Sequence, residues 1–282
     1  MKDKYWDSVI TPKVPLIDLR LQEVLNYRDL LYMFVKRDIA QFYKQTVLGP
    51  LWFFIQPLLT TIVFTVVFGG MVGIKTDGIP PMLFYLAGIT FWNFFSESLN
   101  KCATVYKDHQ HVFGKVYFPR MVVPLSIVAT NMLKLCVQFL LFIVVYIIFI
   151  FKGMPIEING IALLFPILIL LTGALGLGLG LMVTAATTKY RDLNFLVTFG
   201  VQLIMYITPI IYPLSKVPEK YQIFALINPL TGIVETFKYG FLGGETVFSW
   251  MYLLYSTVST IICLLIGINF FNRTERNFID VI

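Results

Sequence analysis

Charge is what this sequence has least of. Of its 282 residues only 13% are Asp, Glu, Lys or Arg, while 57% are hydrophobic; a soluble domain carries roughly a quarter charged residues. That shortage excludes a single soluble core, so lipid must solvate most of the chain. Histidine is scarce as well. His109 and His111 are the only two, and with no cysteine or third ligand nearby they make a poor zinc site. No cluster of histidine and acid falls inside an apolar run, which argues against an intramembrane enzyme needing a general acid and base. Cysteines number three, an odd count, and Cys136 and Cys263 lie within apolar runs, so no disulfide framework is implied. A G-x-x-x-x-G-K-[ST] phosphate loop is missing; "GGMVGIKT" (Gly69–Thr76) has the wrong spacing. The first fifty residues contain no short apolar core with a cleavage site, so targeting is expected to fall to the later apolar segments.

Those apolar segments number six, near Leu51–Phe68, Met82–Asn100, Ile127–Phe151, Ile161–Ala185, Leu193–Tyr212 and Phe248–Phe271. Each approaches the roughly 20 residues that a bilayer requires of a helix. The second is the weakest, because Ser96, Glu97 and Ser98 interrupt it. With an even number of spans both ends share one side. Sixteen Lys and Arg fall on that side and five on the other, with Lys134 inside the third span. The bias predicts cytoplasmic termini. The net charge of +6 is therefore membrane flank; no domain-sized basic face suggests nucleic acid. The expected organisation is a cytoplasmic tail and surface helix over 1–48, a six-span all-α membrane domain over 49–272, and a short cytoplasmic tail over 273–282.

Three stretches stand out. "NYRDLLYMFVKRDIAQFYKQTVLG" gathers Leu30, Leu31, Phe34, Val35, Ile39 and Phe42 on one side and Asp29, Lys36, Arg37 and Lys44 on the other, predicting an amphipathic helix in the interface plane. Asp38 spoils the apolar face and must be snorkelling or paired. "YKDHQHVFGKVYFPR" predicts one short polar helix ending near Gly114. The third, Ile207–Gly244, is apolar yet broken by Pro209, Pro213, Pro218 and Pro229. Facing outward, it is expected to fold into two short helices tucked against the spans as a re-entrant hairpin. One begins at Pro218 and runs through Leu226. The other is capped by Asn228 with Pro229 in its first turn and ends at Gly240 or Gly243. The plainer reading is a surface loop with interfacial aromatics.

Within the second span, Asn93, Ser96, Glu97, Asn100, Lys101 and Thr104 recur every three or four residues and so share one face. Such a face turns to a protein neighbour or a wet cavity. Glu97 either meets Lys134 or both snorkel to the surface. Gly173, Gly176, Gly178 and Gly180 in the fourth span permit close helix approach.

Four phrases in order, "RDIAQFYKQTVLGPLWFFIQP" (Arg37–Pro57), "KVYFPR" (Lys115–Arg120), "KYRDLNF" (Lys189–Phe195) and "TPIIYPLSKVPEKYQIFALINPLTGIVE" (Thr208–Glu235), together resemble the permease subunit of ABC-2 type exporters. The similarity is greatest to the branch that moves lipid-linked polysaccharide: O-antigen, capsule or teichoic acid. It runs from about Val35 to Phe271; residues 1–18 match no motif. The resemblance implies a homodimer in the bacterial inner membrane above two separate ATPase subunits that bind the ATP and Mg, so that this chain is not itself an enzyme and needs no cofactor or metal. It further implies that Arg37, Asp38, Lys107, Asp108, His109, Lys115, Arg120, Arg191 and Asp192 contact the ATPase; the alternative is a solvated basic loop. A sugar chain crossing the membrane would stack on aromatic rings and polar groups, with Trp52, Phe53, Phe64, Phe91, Trp92, Phe95, Asn93, Glu97, Asn100, Phe199 and Tyr206 as candidates for its route. Pro209, Pro213, Asn228, Pro229 and Glu235 would form an outer gate. An ABC-2 exporter of drugs or lipids is an open alternative, as is a secondary transporter, although no inverted repeat is detectable.

Overall fold

Among the residues that the computed structural model describes, 21–44, 47–113, 118–154, 156–187, 192–244, 246 and 248–278, all regular structure is helical. Helices α1 (Leu21–Asn26) and α2 (Arg28–Tyr43) precede a bend at Gly49, whose φ is +48°. A short 3₁₀ turn, Gly49–Leu51, leads into α3 (Trp52–Phe64), which widens into a π-helical stretch over Thr65–Met71. Then come α4 (Pro81–Ala103), the single turns α5 (Val105–Asp108) and α6 (Gln110–Phe113), and α7 (Val122–Phe151). A second 3₁₀ turn, Gly160–Leu164, opens α8 (Phe165–Thr187). Helices α9 (Leu193–Ile207), α10 (Glu219–Ile227), α11 (Pro229–Leu242) and α12 (Trp250–Phe278) complete the chain.

Four continuous helical stretches, Gly49–Met71, Val122–Phe151, Gly160–Thr187 and Trp250–Thr274, are long and apolar enough to cross a membrane. The other two expected spans differ from these. Helix α4 has 23 residues, about 34 Å at 1.5 Å per residue, but its polar stripe dilutes its apolar character. Helix α9 has 15 residues and stops before the expected end at Tyr212. The cause is local: Thr208 precedes Pro209, and the proline ring disfavours α geometry in the residue before it. Thr208 is accordingly extended, with φ −73° and ψ 138°. At the other end of the chain α12 runs to Phe278, through the expected boundary at 272, so the described part of the tail is helical.

The weakest apolar helix is the central one. Helix α4 packs against α3, α7, α8, α9 and α11, and Leu83 to Trp92 are buried along it. Its neighbours supply the cover that its sequence lacks. Glycines permit this closeness: a Cβ on Gly180 would sit 2.5 Å from Cys102 Cβ, and one on Gly176 3.1 Å from the Phe95 carbonyl. On its other side α8 crosses α12 with Gly178 facing Gly267, so closely that a Cβ on Gly178 would lie 2.8 Å from the Leu264 backbone. Phe91 and Phe95 are fully buried and Trp92 nearly so, which makes them packing residues of this chain rather than lining for a route. Phe91 joins Phe139, Phe142, Phe165, Phe237 and Phe241 in one aromatic cluster.

At one end of the bundle α2 lies against α7. It buries Phe34 and half-buries Leu30, Leu31, Val35, Ile39 and Phe42, with Lys36 exposed; Tyr32 and Met33 are exposed too. The expected single polar helix between the second and third spans is two turns, α5 and α6, broken at His109. Gly114, its expected end, lies outside the described residues. Tyr106 fixes this region by stacking on Phe271 at 4.7 Å and donating its hydroxyl to the Phe271 carbonyl at 3.0 Å.

At the opposite end the proline-broken segment forms the two expected helices. Pro218 precedes α10. The Asn228 side chain accepts from Leu230 N at 3.1 Å to cap α11, and Gly243 ends it with φ +63°. The two differ sharply in burial. Nearly all of α11 is buried, whereas α10 exposes Tyr221, Ile223, Phe224 and Ile227.

Candidate functional site

Two clusters of charged and polar side chains lie between these helices. The first is a seam between α4 and α7. Only one face of α4 is open, and it is the polar stripe: Asn93, Ser96, Glu97 and Asn100 are half-buried and Lys101 is exposed, while the residues between them are buried. Opposite, Asn131, Lys134 and Gln138 repeat along α7 at the same helical spacing. Lys134 Nζ lies 2.5 Å from Glu97 Oε2, and Asn131 donates to Ser98 Oγ at 3.2 Å. A narrow pocket remains, lined by Asn93, Phe94, Glu97, Asn131, Lys134, Leu135 and Gln138. Asn131 Oδ1 and Gln138 Oε1 have no hydrogen-bond partner there. Unpaired buried acceptors are costly, so these two amide oxygens set the seam apart from the apolar packing around it.

The seam is roofed by aromatic side chains from α2 and α3. Lys134 Nζ is 4.7 Å from the Phe42 ring centre and 5.6 Å from that of Phe53, and Lys101 Nζ is 5.7 Å from Phe42. Phe42 and Phe53 meet edge to face at 5.0 Å. Helix α2 is thus joined to α4 and α7 through one ring and two ammonium groups.

Beside the roof the structure brings together four of the sequence-predicted docking residues. Arg37 donates from Nε and Nη2 to Asp38 Oδ1 at 2.9 and 2.8 Å, so the acid that spoils the apolar face is paired with its neighbour in sequence. Both charges are felt by His109. Burial above all, then the Arg37 charge, lowers the His109 pKa from its ordinary value; Asp108 and Asp38 oppose the shift. Asp108 in turn accepts from Thr104 Oγ1 at 2.6 Å. Arg120 is buried with its guanidinium 5.5 Å from the Phe113 ring. Lys107 and Asp192 are exposed. Lys115 and Arg191 lie outside the described residues.

The second cluster sits at the α11 end. Lys238, completely buried, donates to the Pro209 carbonyl at 2.5 Å and to Glu235 Oε1 at 3.1 Å, and its Nζ lies 3.6 Å from the Phe84 ring centre. Asn228 Nδ2 donates to Thr208 Oγ1 at 2.7 Å. Asp77, on the connection between α3 and α4, accepts from Ser215 Oγ at 2.5 Å and faces Lys216 Nζ at 3.7 Å. Pro209, Asn228, Pro229 and Glu235 therefore converge, and Pro213 opens the short turn that carries Ser215 and Lys216. Sequence reasoning missed Lys238, Asp77 and Thr208. Lys238 had a signal, since it stands three residues after Glu235 on one apolar helix; Asp77 had none. It also missed Asn131 and Gln138, which the periodicity test applied to the second span would have found in the third.

Of the proposed route residues, Phe53, Asn93 and Glu97 meet at the seam. Asn100 is on the same face, and Trp52 is exposed beside Phe53. Phe199 and Tyr206 are not brought there: both are exposed on α9, which leans on α4 and α8.

Long apolar helices with charged groups held between them define a multi-pass helical membrane protein. The chain belongs to the ABC-2 type transporter family, whose sequence model matches residues 29–242. It is 27% identical over 271 residues to the O-antigen export system permease protein RfbA of Klebsiella pneumoniae, covering 94% of this chain and 100% of that protein. A protein of the same name from Myxococcus xanthus is 27% identical over 221 residues, 77% of this chain and 82% of its own length. The polysialic acid transport protein KpsM of Escherichia coli is 24% identical over 244 residues, covering 85% and 91%.

Proposed function

We propose that this chain is the membrane subunit of an ATP-driven exporter that carries a lipid-linked polysaccharide from the cytoplasm across the bacterial inner membrane. The observation that carries the reading is the end-to-end similarity to O-antigen export permeases, supported by the relationship to a polysialic acid transporter. In this reading α4 and α9 join the four long apolar helices as spans. Helix α9 is only about 22 Å long at 1.5 Å per residue, and the 208–212 segment completes its crossing. The bias of Lys and Arg supports cytoplasmic termini, with α2 along the inner surface and α10–α11 as a re-entrant hairpin outside.

Two copies of the chain assemble with two ATPase subunits that hold ATP and Mg. The ATPase engages α2 through Arg37 and Asp38, the α5–α6 turns through Lys107, Asp108 and His109, and Lys115, Arg191 and Asp192; Arg120, expected among these contacts, is buried against Phe113 and supports the turns from within. Its closure shifts α2, and the Phe42 ring passes that shift to Lys101 and Lys134, and so to the α4–α7 seam. Trp52, Phe53, Asn93, Glu97 and Asn100 meet the glycan along the α4–α7 seam, and Phe199 and Tyr206 meet it apart from the seam, on the exposed face of α9. At the outer end α11 is the anchored half of the hairpin, since Lys238 and Asn228 tie it to the 208–209 turn, and α10 is the moving half.

Co-purification tests the assembly. Tagged chain drawn from its native cell in mild detergent is expected to bring down a P-loop ATPase in a 1:1 ratio. Recovery of the chain alone, with transport persisting when nucleotide is withheld, would support a secondary transporter instead.

A further inference from the structure

The two ends of the α8–α12 pair are built differently. The helices touch at Gly178 and Gly267, where neither leaves room for a Cβ. Beyond that point they separate, and a cleft of about 460 Å³ opens between them, lined by Met182, Ala185 and Ala186 of α8 and by Phe270, Arg273 and Thr274 of α12. Each trio follows the i, i+3, i+4 pattern of a single helix face. The walls are apolar, the floor is small because of the alanines, and polarity is confined to Arg273 and Thr274 at the end of the apolar stretch Trp250–Thr274. Arg273 is exposed, and neither it nor Thr274 has a hydrogen-bond or ion-pair partner among the described residues.

We infer that this cleft is a binding site for an anionic phospholipid of the inner leaflet. The assignment of leaflet rests on the topology proposed above. An acyl chain fills the wedge along Met182, Ala185, Ala186 and Phe270, and the headgroup phosphate meets Arg273 at the level where the helices leave the hydrocarbon. A guanidinium is matched to a phosphate because its planar fork can donate to two oxygens at once, and Thr274 supplies a further donor. A basic group set between spans at the cytoplasmic boundary is the arrangement that selects anionic headgroups. The occupant is lipid rather than free anion because four of the six lining residues, Met182, Ala185, Ala186 and Phe270, are apolar, and Phe270 is exposed at the opening. The site stands apart from both polar clusters, and its other walls take no part in them.

Native mass spectrometry of the full chain, alone and with whatever subunits co-purify, tests this. After exchange into mixed micelles with equal phosphatidylglycerol and phosphatidylcholine, the wild type is expected to retain phosphatidylglycerol roughly five- to tenfold more than phosphatidylcholine. Arg273→Ala should abolish the preference, Arg273→Lys should keep part of it, and Ala186→Phe should reduce retention of both lipids by filling the cleft without altering charge. Lys220→Ala, at the opposite end of the molecule, is the control and should leave the preference intact. Equal retention of the two lipids by the wild type, an unchanged preference in Arg273→Ala, or loss of lipid from wild type on subunit assembly would each overturn the inference. Lipid retention needs neither ATP nor glycan, so this result is independent of whether the export reading stands.

Discussion

Lys134 of α7 and Glu97 of α4 are joined at 2.5 Å, with the lysine side chain 9% exposed and the glutamate side chain 38% exposed. The pair bridges the two helices that carry the polar seam, directly under the Phe42 ring. Because the two charges differ in burial, removing one is not equivalent to removing the other.

Glu97→Gln strands a nearly buried ammonium and is expected to destabilise the protein by about 1–3 kcal/mol, at the lower end because the glutamate is partly open to solvent, which screens it. The double variant Glu97→Gln/Lys134→Met should be more stable than Glu97→Gln alone, since it leaves no unpaired charge. Thermal unfolding midpoints in detergent check this. A double variant no better than the single one would show that the pair is not coupled.

Lys238 gives the stronger case, because both it and Glu235 are buried. Glu235→Ala or Lys238→Ala should cost about 3–5 kcal/mol, the usual effect of breaking a buried ion pair, and should lower the yield of monodisperse protein. Asn228→Ala removes the α11 cap and its bond to Thr208; about 0.5–2 kcal/mol is expected from the cap. If export falls in Asn228→Ala or in a Pro229 variant while assembly is retained, the α10–α11 pair acts in transport and not only in folding.

The α8–α12 crossing offers a contrast between glycines. Gly267→Ala places a methyl group against the Gly178 backbone and is expected to weaken packing by about 1–3 kcal/mol. Gly200→Ala, inside α9 with no atom of a neighbouring element within 4 Å of the added carbon, should be neutral or stabilising by about 0.5–1 kcal/mol through helix propensity. Comparing melting midpoints of the two variants checks the crossing.

His109 supplies a pH dependence. Its folded pKa lies below the ordinary value of 6.5, so the unfolded chain takes up the proton first as pH falls. Its contribution to stability is full above that ordinary value and is lost as acidification proceeds through it toward the lowered folded pKa. The wild type should lose thermal stability between pH 7 and pH 5 more steeply than His109→Gln. Parallel curves for the two would contradict the burial of this ring.

What could be read from residues beforehand was whatever depended on local spacing. Asn228, Pro229 and Gly243 announce a helix and both of its ends, and the stripe from Asn93 to Thr104 announces a face that its neighbours leave open. The pairing of Glu97 with Lys134 was one of two readings, because nothing in a single helix says how a neighbour is rotated. Asp77 was illegible for the same reason: its partners Ser215 and Lys216 are more than a hundred residues away. Hydropathy places the end of α9 too late, because apolar residues continue past Ile207 while the Thr208–Pro209 pair ends the helix. The central position of α4 also ran against its composition, since burial there depends on the glycine face of α8 rather than on α4 itself.

The most direct test of the proposed function is depletion of this chain in its native cell, with surface and cell-internal polysaccharide quantified separately. Export through this subunit predicts that surface glycan falls while lipid-linked glycan accumulates on the inner side of the membrane, and that re-expression reverses both. Undiminished surface glycan with no internal accumulation would contradict it.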